Sequence, residues 1–288
     1  MVVGNVVEDR TPEGGGTAGG PSLYSALAAR ALGAEVTLVT CELVSAGPAP
    51  FDRSALDGLR VIELPRLRGK AMPRYANTYD DEGNRAQLLV EQGDVLPASL
   101  VQDRESPLFH APVDVLLYAP AFHELTSPPA AAIPARTTGV ALQGLLRDVR
   151  PTFEVVQHRE PWAQVTDWVD VANFAFFSEE DTAQPLALAR HLAKQGVAAF
   201  LTRGYRGATL LSRDGEREFA ALPAKVTDPT GAGDCFCTAF LVRHAETGDI
   251  DEAARFALAA GALAVERPGL LGIPTRAEVE RRLAAVAA

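Results

Sequence analysis

The chain of 288 residues contains little lysine, cysteine, methionine or tryptophan. Only three of its 27 basic residues are lysines, the arginines are scattered, and the formal net charge is −10. A chain this acidic, without a basic cluster, is a poor ligand for nucleic acid. The three cysteines have no metal-ligand spacing, and no two histidines have the helical spacing of a zinc site. These absences argue against a disulfide framework, a zinc centre and a nucleic-acid partner.

Long hydrophobic runs and two common nucleotide-binding motifs are also absent. No apolar stretch reaches the length of a membrane span, and the opening "MVVGNVV" is typical of a strand rather than of a signal peptide. We therefore expect a cytoplasmic protein without a membrane partner. The lack of a GxxxxGK[ST] run argues against a Walker-type NTPase. The lack of GxGxxG after the first strand argues against a dinucleotide-dependent dehydrogenase.

Strand-like and helix-like segments alternate along the chain. This alternation predicts an α/β fold in a single domain over residues 1–288, a doubly wound and mostly parallel sheet flanked by helices. The strand-like segments are 1–7, 35–40, 113–120, part of 137–146, 168–178 and 197–204, followed by a hairpin within 207–222. The helical segments are 19–34, 184–196, the residues after Gly233, and 250–266. The last of these is apolar on nearly all sides, so we expect it to be buried.

Residues 64–92 interrupt this alternation. Strand-like pieces lie on both sides of "DDEGN", and the turn-forming residues Asp81–Asn84 predict an antiparallel hairpin. Residues 9–18 are expected to add another strand. We predict that the segments of about 9–18 and 64–92 form a small β-strand lid over one end of the sheet.

The stretch "TDPTGAGDCFCTAF", residues 227–240, places flexible residues before an acid and then becomes apolar. Gly231 and Gly233 allow backbone conformations that other residues avoid, and the residues after them open a helix. Free N–H groups at a helix start form a site for anions. An acid beside such a site, Asp234, is explained if it deprotonates a hydroxyl next to a migrating phosphoryl group. The alternative, which a GxGD motif favours when it stands alone, is an ordinary acid in the first turn of a helix.

Four stretches together resemble the ribokinase, or PfkB, family of carbohydrate kinases. "DPTGAGDCF" is similar to the family's C-terminal signature, and "GGPSLYSALAARALGAEVTLVT" to its N-terminal glycine pair, helix and strand. "LTRGYRGATLLSRDGE" resembles the threonine–glycine loop with its hairpin, and "AAGALAVERPGLLGIPTRAEVE" the C-terminal helix and exit segment. They follow the family's order and cover nearly the whole chain. The resemblance implies transfer of the γ-phosphate of ATP, with Mg²⁺, to a hydroxyl of a sugar, nucleoside or related polyol.

The resemblance also implies roles for individual residues. The expected catalytic groups are Asp234 as the base and Gly231, Ala232 and Gly233 as the anion hole. The expected nucleotide contacts are Thr202, Gly204 and Gly207 at the phosphates and Leu258 and Ala262 at the adenine. The expected acceptor contacts are Asp9, Gly19, Gly20, Tyr24 and Arg147. A carboxylate such as Asp9 can accept hydrogen bonds from two adjacent hydroxyls. The alternative for Asp9 is an acid in a solvated loop, and the alternative for Arg147 is an arginine on the surface.

Two places depart from the family's pattern. Tyr24 stands where many ribokinases carry an asparagine, so a plain ribose or fructose acceptor is not implied. "PSLYSA", "QGLLR" (143–147) and "NTYDDEGNR" (77–85) are instead similar to a subgroup that includes inositol kinases. The family's Asn-x-x-Glu motif, which organises magnesium through water, is replaced by "FFSEED", where Glu180 or Asp181 remains as the acid. A capping pattern of Ser178 with Asp181 is the alternative there.

Several expectations follow from the resemblance without fixing the acceptor. A monovalent cation, K⁺, is implied at Asp228 and Thr230. The leading acceptor is a sugar or a cyclitol such as myo-inositol, and a nucleoside is the first alternative, since Tyr24 and Phe122 could line a pocket for a base. A non-catalytic sugar or nucleotide sensor is the second, against which the intact Asp234 and glycines argue. Because the lid is the dimer interface in several family members, a homodimer through the lid is a further expectation.

Overall fold

The computed structural model describes residues 1–10, 16–45, 47, 50–79, 85–96, 112–125, 128 and 133–287. Within them, nine strands form one sheet: β1 (Val2–Val3), β4 (Thr37–Cys41), β5 (Arg60–Leu64), β8 (Val113–Tyr118), β9 (Ala135–Ala141), β12 (Phe174–Ser178), β13 (Ala198–Thr202), β14 (Ala208–Ser212) and β15 (Gly215–Phe219). Their spatial order is β15-β14-β13-β12-β9-β8-β1-β4-β5. All neighbours are parallel except the hairpin β13-β14-β15, which is antiparallel.

Helices cover both faces of this sheet. They are α1 (Pro21–Ala31), α2 (Pro161–Val165), α3 (Pro185–Gln195), α4 (Ala232–Thr247), α5 (Ile250–Ala264) and α6 (Arg276–Ala287). One hydrophobic cluster joins α1, α4 and α5 to the sheet, and a second joins α2 and α3 to its other face. Short 3₁₀ turns lie at Arg53–Leu56, Thr166–Trp168, Gly204–Arg206 and Gly269–Gly272. The predicted α/β class, the parallel sheet and the buried helix over 250–266 are confirmed.

A second sheet of four strands stands beside the main one. Its strands are β2 (Val7–Arg10), β3 (Gly16–Gly19), β6 (Arg74–Tyr79) and β7 (Arg85–Glu91), in the order β3-β2-β6-β7. Its underside packs Val7, Tyr75 and Leu89 against Ala121 and Phe122. We call this sheet the small sheet. It occupies the segments predicted for the lid, although Leu64 ends a strand of the main sheet, and the predicted turn at 81–84 lies outside the described residues, as do 11–15.

A short hairpin that the sequence patterns did not predict lies against the small sheet. It consists of β10 (Arg147–Val149) and β11 (Val155–Gln157), paired antiparallel. The Leu89 N–H donates to the Phe153 carbonyl at 2.8 Å, which attaches the hairpin to β7. The hairpin was missed because its strands have three residues each, too short to show an alternating pattern.

The opening stretch "MVVGNVV" is two strands in two sheets rather than one. The chain leaves the main sheet at Gly4–Asn5 and enters the small sheet at Val7. Asn5 is buried and bonds in four directions. Its amide nitrogen donates to the Asp94 carbonyl at 2.7 Å, its side-chain oxygen accepts from Cys41 N–H at 3.2 Å, its carbonyl accepts from the Ser22 hydroxyl, and its own N–H donates to Glu124.

Glu124 is a buried carboxylate that gathers backbone N–H groups at this crossing. It accepts from Asn5 at 2.9 Å and from Ala121 and Phe122 at 2.7 Å each. Burial raises the pKa of the Glu124 carboxyl, and these N–H donors oppose that rise. Because buried backbone groups must be paired, Asn5 and Glu124 are the polar joint between the main sheet and the small sheet.

No helix among the described residues is long and apolar enough to cross a bilayer.

We expect Asn5→Ala to lower the free energy of unfolding by about 2–4 kcal/mol, because it leaves the buried Cys41 N–H and Asp94 carbonyl without their partner. Urea unfolding followed by circular dichroism measures this. The matched control is Asn173→Ala, since Asn173 is exposed and its side chain accepts one bond, from Thr138 N–H at 2.7 Å. Asn173→Ala should lower the free energy of unfolding by only about 1 kcal/mol. Equal losses for the two substitutions would contradict the structural role given to Asn5.

Candidate active site

A cavity of about 410 Å³ lies between the small sheet and the carboxyl ends of the central parallel strands. Residues at the ends of three neighbouring strands line it: Ala141 of β9, Ser178 of β12 and Thr202 of β13. The small sheet contributes Asp9 and Tyr75 from the opposite side. In open parallel sheets, ligands bind at this edge. The cavity is therefore the candidate active site.

Most of the residues that the sequence analysis selected meet in this cavity. Those that line it are Asp9, Gly20, Tyr24, Arg147, Glu180, Asp181, Thr202, Thr230, Gly231, Gly233 and Asp234. They come from segments more than 200 residues apart in the chain, so the fold brings together positions that only motif similarity had connected. Their individual roles stay predictions.

Seven selected residues lie outside the cavity lining. They are Gly19, Gly204, Gly207, Asp228, Ala232, Leu258 and Ala262. Gly19 still borders Asp9, because a Cβ added to Gly19 would lie 2.4 Å from Asp9 Oδ2. Leu258 is 9% exposed in the core cluster that α5 forms with α4. Phe122, which a nucleoside pocket was expected to use, packs under the small sheet and also lies outside the lining.

The first turn of α4 forms one wall of the cavity. Gly231 precedes the helix with φ +79°, a left-handed conformation that glycine adopts without strain. A Cβ added to Gly231 would lie only 2.1 Å from Tyr24 Cδ1, so the space behind this glycine is filled by the tyrosine ring. The N-terminal N–H groups of a helix and its dipole attract anions. This wall can therefore hold a phosphoryl group, as the glycine motif predicts.

Asp234 lies in the same turn, partly accessible from the cavity. Enclosure of its carboxyl group raises its pKa from 3.8 to about 7, a rise that the Asp181 carboxylate adds to and the Arg147 guanidinium opposes. A carboxyl group that ionises near neutral pH can both accept and release a proton under working conditions. Asp234 is therefore suited to act as a general base.

Arg147 is the only arginine or lysine among the residues described as lining the cavity, which also presents four carboxylates: Asp9, Glu180, Asp181 and Asp234. It begins β10 and hydrogen-bonds to the Tyr75 side chain. The Tyr75 hydroxyl also donates to the Ala121 carbonyl at 3.1 Å. The carbonyl of Arg147 lies 2.6 Å from His123 Nε2. Arg147 thus links the small sheet to the cavity that contains Asp234.

Ser178 and Asp181 form a reciprocal turn at the end of β12. Ser178 N–H donates to Asp181 Oδ2 at 2.7 Å, and Glu180 N–H donates to Ser178 Oγ at 3.2 Å. The pattern that the sequence suggested as a helix cap is thus a turn, since α3 begins only at Pro185. Burial raises the pKa of the Asp181 carboxyl, and hydrogen bonds from Ser178 N–H and the Gln143 side chain oppose the rise. Glu180 is exposed and faces the cavity.

Asp228 ties two loops together behind the anion-binding wall. Its carboxylate accepts from Thr230 N–H at 2.9 Å through Oδ1 and from Gly269 N–H at 2.8 Å through Oδ2. This arrangement fixes the extended entry to α4 that the Asp-Pro pair predicts. Thr230 itself lines the cavity.

Three polar residues of the cavity were not selected from the sequence. Tyr75 and Gln87 come from the small sheet, and Gln143 follows β9. The only available signal was that Gln143 precedes Arg147 by four residues in "QGLLR", a stretch quoted for its resemblance as a whole. Tyr75 and Gln87 lie in the segment predicted as the lid, but nothing singled them out within it, because the direction of their side chains depends on how the small sheet packs.

Comparison with known proteins indicates the family that this chain resembles. Residues 166–276 match the family model described as pfkB family carbohydrate kinase. The ribokinase of Bacillus subtilis (strain 168) is 39% identical over 99 residues, which are 34% of this chain and 34% of that protein. The aligned part thus spans about a third of the length of this curated relative. The family match over residues 166–276 includes no residue of the small sheet.

Solved structures share the fold over nearly the entire chain. A pyrophosphate-dependent kinase of the ribokinase family, complexed with a pyrophosphate analog and myo-inositol, has a TM-score of 0.74 at 18% identity and covers 98% of this chain and 100% of that one. The Methanocaldococcus jannaschii nucleoside kinase has a TM-score of 0.71 at 18% identity, with coverages of 99% and 98%. A putative Ribokinase II of E. coli in complex with ATP and Mg²⁺ has a TM-score of 0.67 at 17% identity and covers 99% of each chain.

The predicted resemblance to the PfkB family is confirmed. Residues 166–276, less than half of the chain, match the pfkB family model, and the described residues have the ribokinase-like fold. At identities below 25%, the structural likeness establishes the fold and leaves the acceptor open.

We expect Asp234→Asn to stabilise the protein at pH 8 by up to about 4 kcal/mol, because a carboxyl with a pKa of about 7 in the folded state and 3.8 in the unfolded chain disfavours folding once it ionises. The penalty is absent below pH 4, grows as the pH rises to 7 and is constant above it. Urea unfolding of both proteins at pH 5, 6, 7 and 8 tests this. If the difference in free energy of unfolding between Asp234→Asn and the wild type did not depend on pH, the raised pKa of Asp234 would be contradicted.

Proposed function

We propose that this protein is a kinase that transfers the terminal phosphoryl group of ATP to a hydroxyl of a sugar or cyclitol, with myo-inositol as the leading acceptor. The observation that carries the proposal is the position of Asp234. It lies in the first turn of a helix suited to bind a phosphoryl group, in one cavity with the acceptor carboxylate Asp9. The match to the pfkB family supports the same reaction class.

The polar groups around the cavity favour a polyhydroxylated acceptor. Side chains able to exchange hydrogen bonds with hydroxyls are contributed by Asp9, Gln87, Gln143, Arg147 and Asp234. Carboxylates accept from hydroxyl groups, and amide and guanidinium groups donate to hydroxyl oxygens. A nucleoside needs in addition an apolar surface for its base. Phe122, expected to supply it, packs outside the lining, whereas Phe176, Phe177 and Phe236 line the cavity. The polar side chains favour a sugar or cyclitol, and the acceptor panel below tests the nucleoside.

The proposed chemistry divides between the two ends of the cavity. Asp9 orients the acceptor by accepting hydrogen bonds from adjacent hydroxyls, and Asp234 removes the proton from the hydroxyl that attacks the phosphoryl group. The N–H groups of Gly231 and Gly233, which line the cavity, hold the phosphoryl oxygens as charge develops on them. Ala232, expected to join them, lies outside the lining, and its N–H donates to the Pro229 carbonyl at 3.2 Å. Arg147 offers positive charge on the acceptor side, where the other charged residues of the cavity are acids.

Magnesium would neutralise the donor phosphates in this reaction. No group of three or more His, Cys, Asp or Glu side chains within the described ranges is arranged to hold a metal ion. Mg²⁺ commonly uses one or two carboxylates, water and substrate phosphates instead. We assign Glu180 to this role, because it faces the cavity while Asp181 is engaged by Ser178 and Gln143. The K⁺ site at Asp228 and Thr230 stays a prediction.

The small sheet is our candidate for the lid. It covers the acceptor side of the cavity with Val7, Asp9, Tyr75 and Gln87. Exclusion of water by such a cover would prevent phosphoryl transfer to water. A homodimer formed through this sheet also stays a prediction.

The function is tested by measuring product formation with Mg²⁺ and a panel of myo-inositol, hexoses, pentoses and nucleosides. ATP and pyrophosphate are supplied as separate donors, because the solved myo-inositol complex is of a pyrophosphate-dependent kinase. We expect turnover with a cyclitol or sugar and its loss by at least about 10³-fold in Asp234→Asn. The control is Asp214→Asn, in the exposed turn between β14 and β15. Donor binding without turnover of any acceptor would favour the sensor, and nucleoside turnover the nucleoside kinase.

Arg147→Gln should lower kcat/KM by about 10- to 100-fold, because a positive charge near the reacting groups is lost. It should also move the acid limb of the pH–rate profile to higher pH, since Arg147 holds the Asp234 pKa down. The control Arg190→Gln removes a surface arginine of α3 whose partner is Glu216. An unchanged pH profile in Arg147→Gln would contradict the electrostatic role, whatever the change in rate.

A further inference from the structure

We infer that Tyr24 is a positioning residue of the anion-binding turn, whose ring holds the Gly231 backbone, rather than a wall that selects the acceptor. This inference rests on the proposed function, in which the turn Gly231–Asp234 binds the migrating phosphoryl group. The family resemblance implied that Tyr24 contacts the acceptor, whereas in the structure its ring packs against Gly231.

Helix α1 aims Tyr24 at the start of α4. Tyr24 lies in the first turn of α1, where its N–H donates to the Gly20 carbonyl at 3.1 Å. Ala28, four residues further along the same face, packs with Cys235 and Ala264. The face of α1 that carries Tyr24 and Ala28 is therefore pressed against the first turn of α4. Tyr24 is 5% exposed, so little of its ring remains for a ligand.

The ring occupies the space that any side chain at position 231 would need. A Cβ on Gly231 would lie 2.1 Å from Tyr24 Cδ1, 2.3 Å from Cε1 and 2.9 Å from Cγ. The ring thus lies flush against the glycine backbone that enters α4. Since Gly231 has φ +79° and great intrinsic freedom, a rigid surface behind it limits the conformations that the turn can sample. Preorganised N–H donors are what stabilises a developing anion.

The hydroxyl end of Tyr24 reaches the second loop behind this turn. A Cβ on Gly269 would lie 3.7 Å from Tyr24 Oη, and Gly269 N–H is held by the same Asp228 carboxylate that holds Thr230 N–H. Burial and the carboxylates of Asp9, Asp228 and Asp234 raise the pKa of the Tyr24 hydroxyl, so it stays neutral. Tyr24 therefore spans both loops that border the anion-binding turn.

The first experiment is a double-mutant cycle in thermal unfolding, which does not need enzymatic activity. Gly231→Ala should lower the unfolding midpoint strongly when Tyr24 is present. In the Tyr24→Ala background it should lower the midpoint by less than about half as much, because the new methyl group enters the space that the ring has left. Gly215→Ala is the control, since Gly215 also has a positive φ, of 121°, but a Cβ there meets nothing within 4 Å. Its shift should be the same in both backgrounds.

The second experiment separates positioning from acceptor binding by kinetics. We expect Tyr24→Leu to lower kcat at least about tenfold while the acceptor KM changes less than about threefold, because the turn acts in the transition state. Tyr24→Phe keeps the ring and should stay within about threefold of the wild type in both constants. An acceptor KM raised about tenfold with kcat preserved in Tyr24→Leu would overturn the inference and return Tyr24 to the acceptor site.

The two experiments distinguish failure of the inference from failure of the proposed function. Equal effects of Gly231→Ala in both backgrounds would show that the ring does not hold the turn, even in an active kinase. If the wild type phosphorylates no acceptor on the panel, the proposed function fails, and coupling between Tyr24 and Gly231 in unfolding still supports the packing role of the ring.

Discussion

The crossing of the chain from the main sheet to the small sheet is the constraint on which the rest of the structure depends. Between Val3 and Val7 the backbone runs through a buried region where water cannot pair its polar groups. Asn5 and Glu124 supply hydrogen-bond partners for those groups. Their hydrogen bonds also connect the segments at the ends of β1, β4, β7 and β8. Because Asp9 follows Asn5 by four residues, the hydrogen bonds of this crossing also influence where Asp9 lies relative to Asp234.

Charge is distributed unevenly around the cavity, and this has a cost in stability. Four carboxylates and a single arginine line it among the described residues. Asp234 shows the consequence, since enclosure makes its ionisation unfavourable and shifts its pKa to about 7. An acid that only caps a helix needs no such enclosure, so the raised pKa of Asp234 supports the proposal that it acts as a base.

The two sides of the cavity differ in how far the family match reaches them. The side from β12 to α4, proposed to bind the phosphoryl group, lies within the 166–276 match to the pfkB family. The side with Asp9, Tyr75, Gln87 and Gln143, proposed to bind the acceptor, lies outside that match. Neighbours with the same fold include both a kinase in complex with myo-inositol and a nucleoside kinase. The proposed acceptor contacts are a few polar side chains, most of them on the small sheet.

The sequence by itself determined the elements whose signals are local. The alternation of strand and helix patterns, the turn residues between β14 and β15 and the glycines before Asp234 depend on neighbours within a few positions, so they predicted the α/β fold and the anion-binding turn. Only the tertiary structure decided what depends on distant partners. It divided "MVVGNVV" between two sheets, paired the short β10–β11 hairpin with β7, brought Gln87 and Gln143 into the cavity and buried Leu258 in the core. It also turned Tyr24 toward Gly231, more than 200 residues away, because side-chain direction follows from how helices pack and not from spacing along the chain.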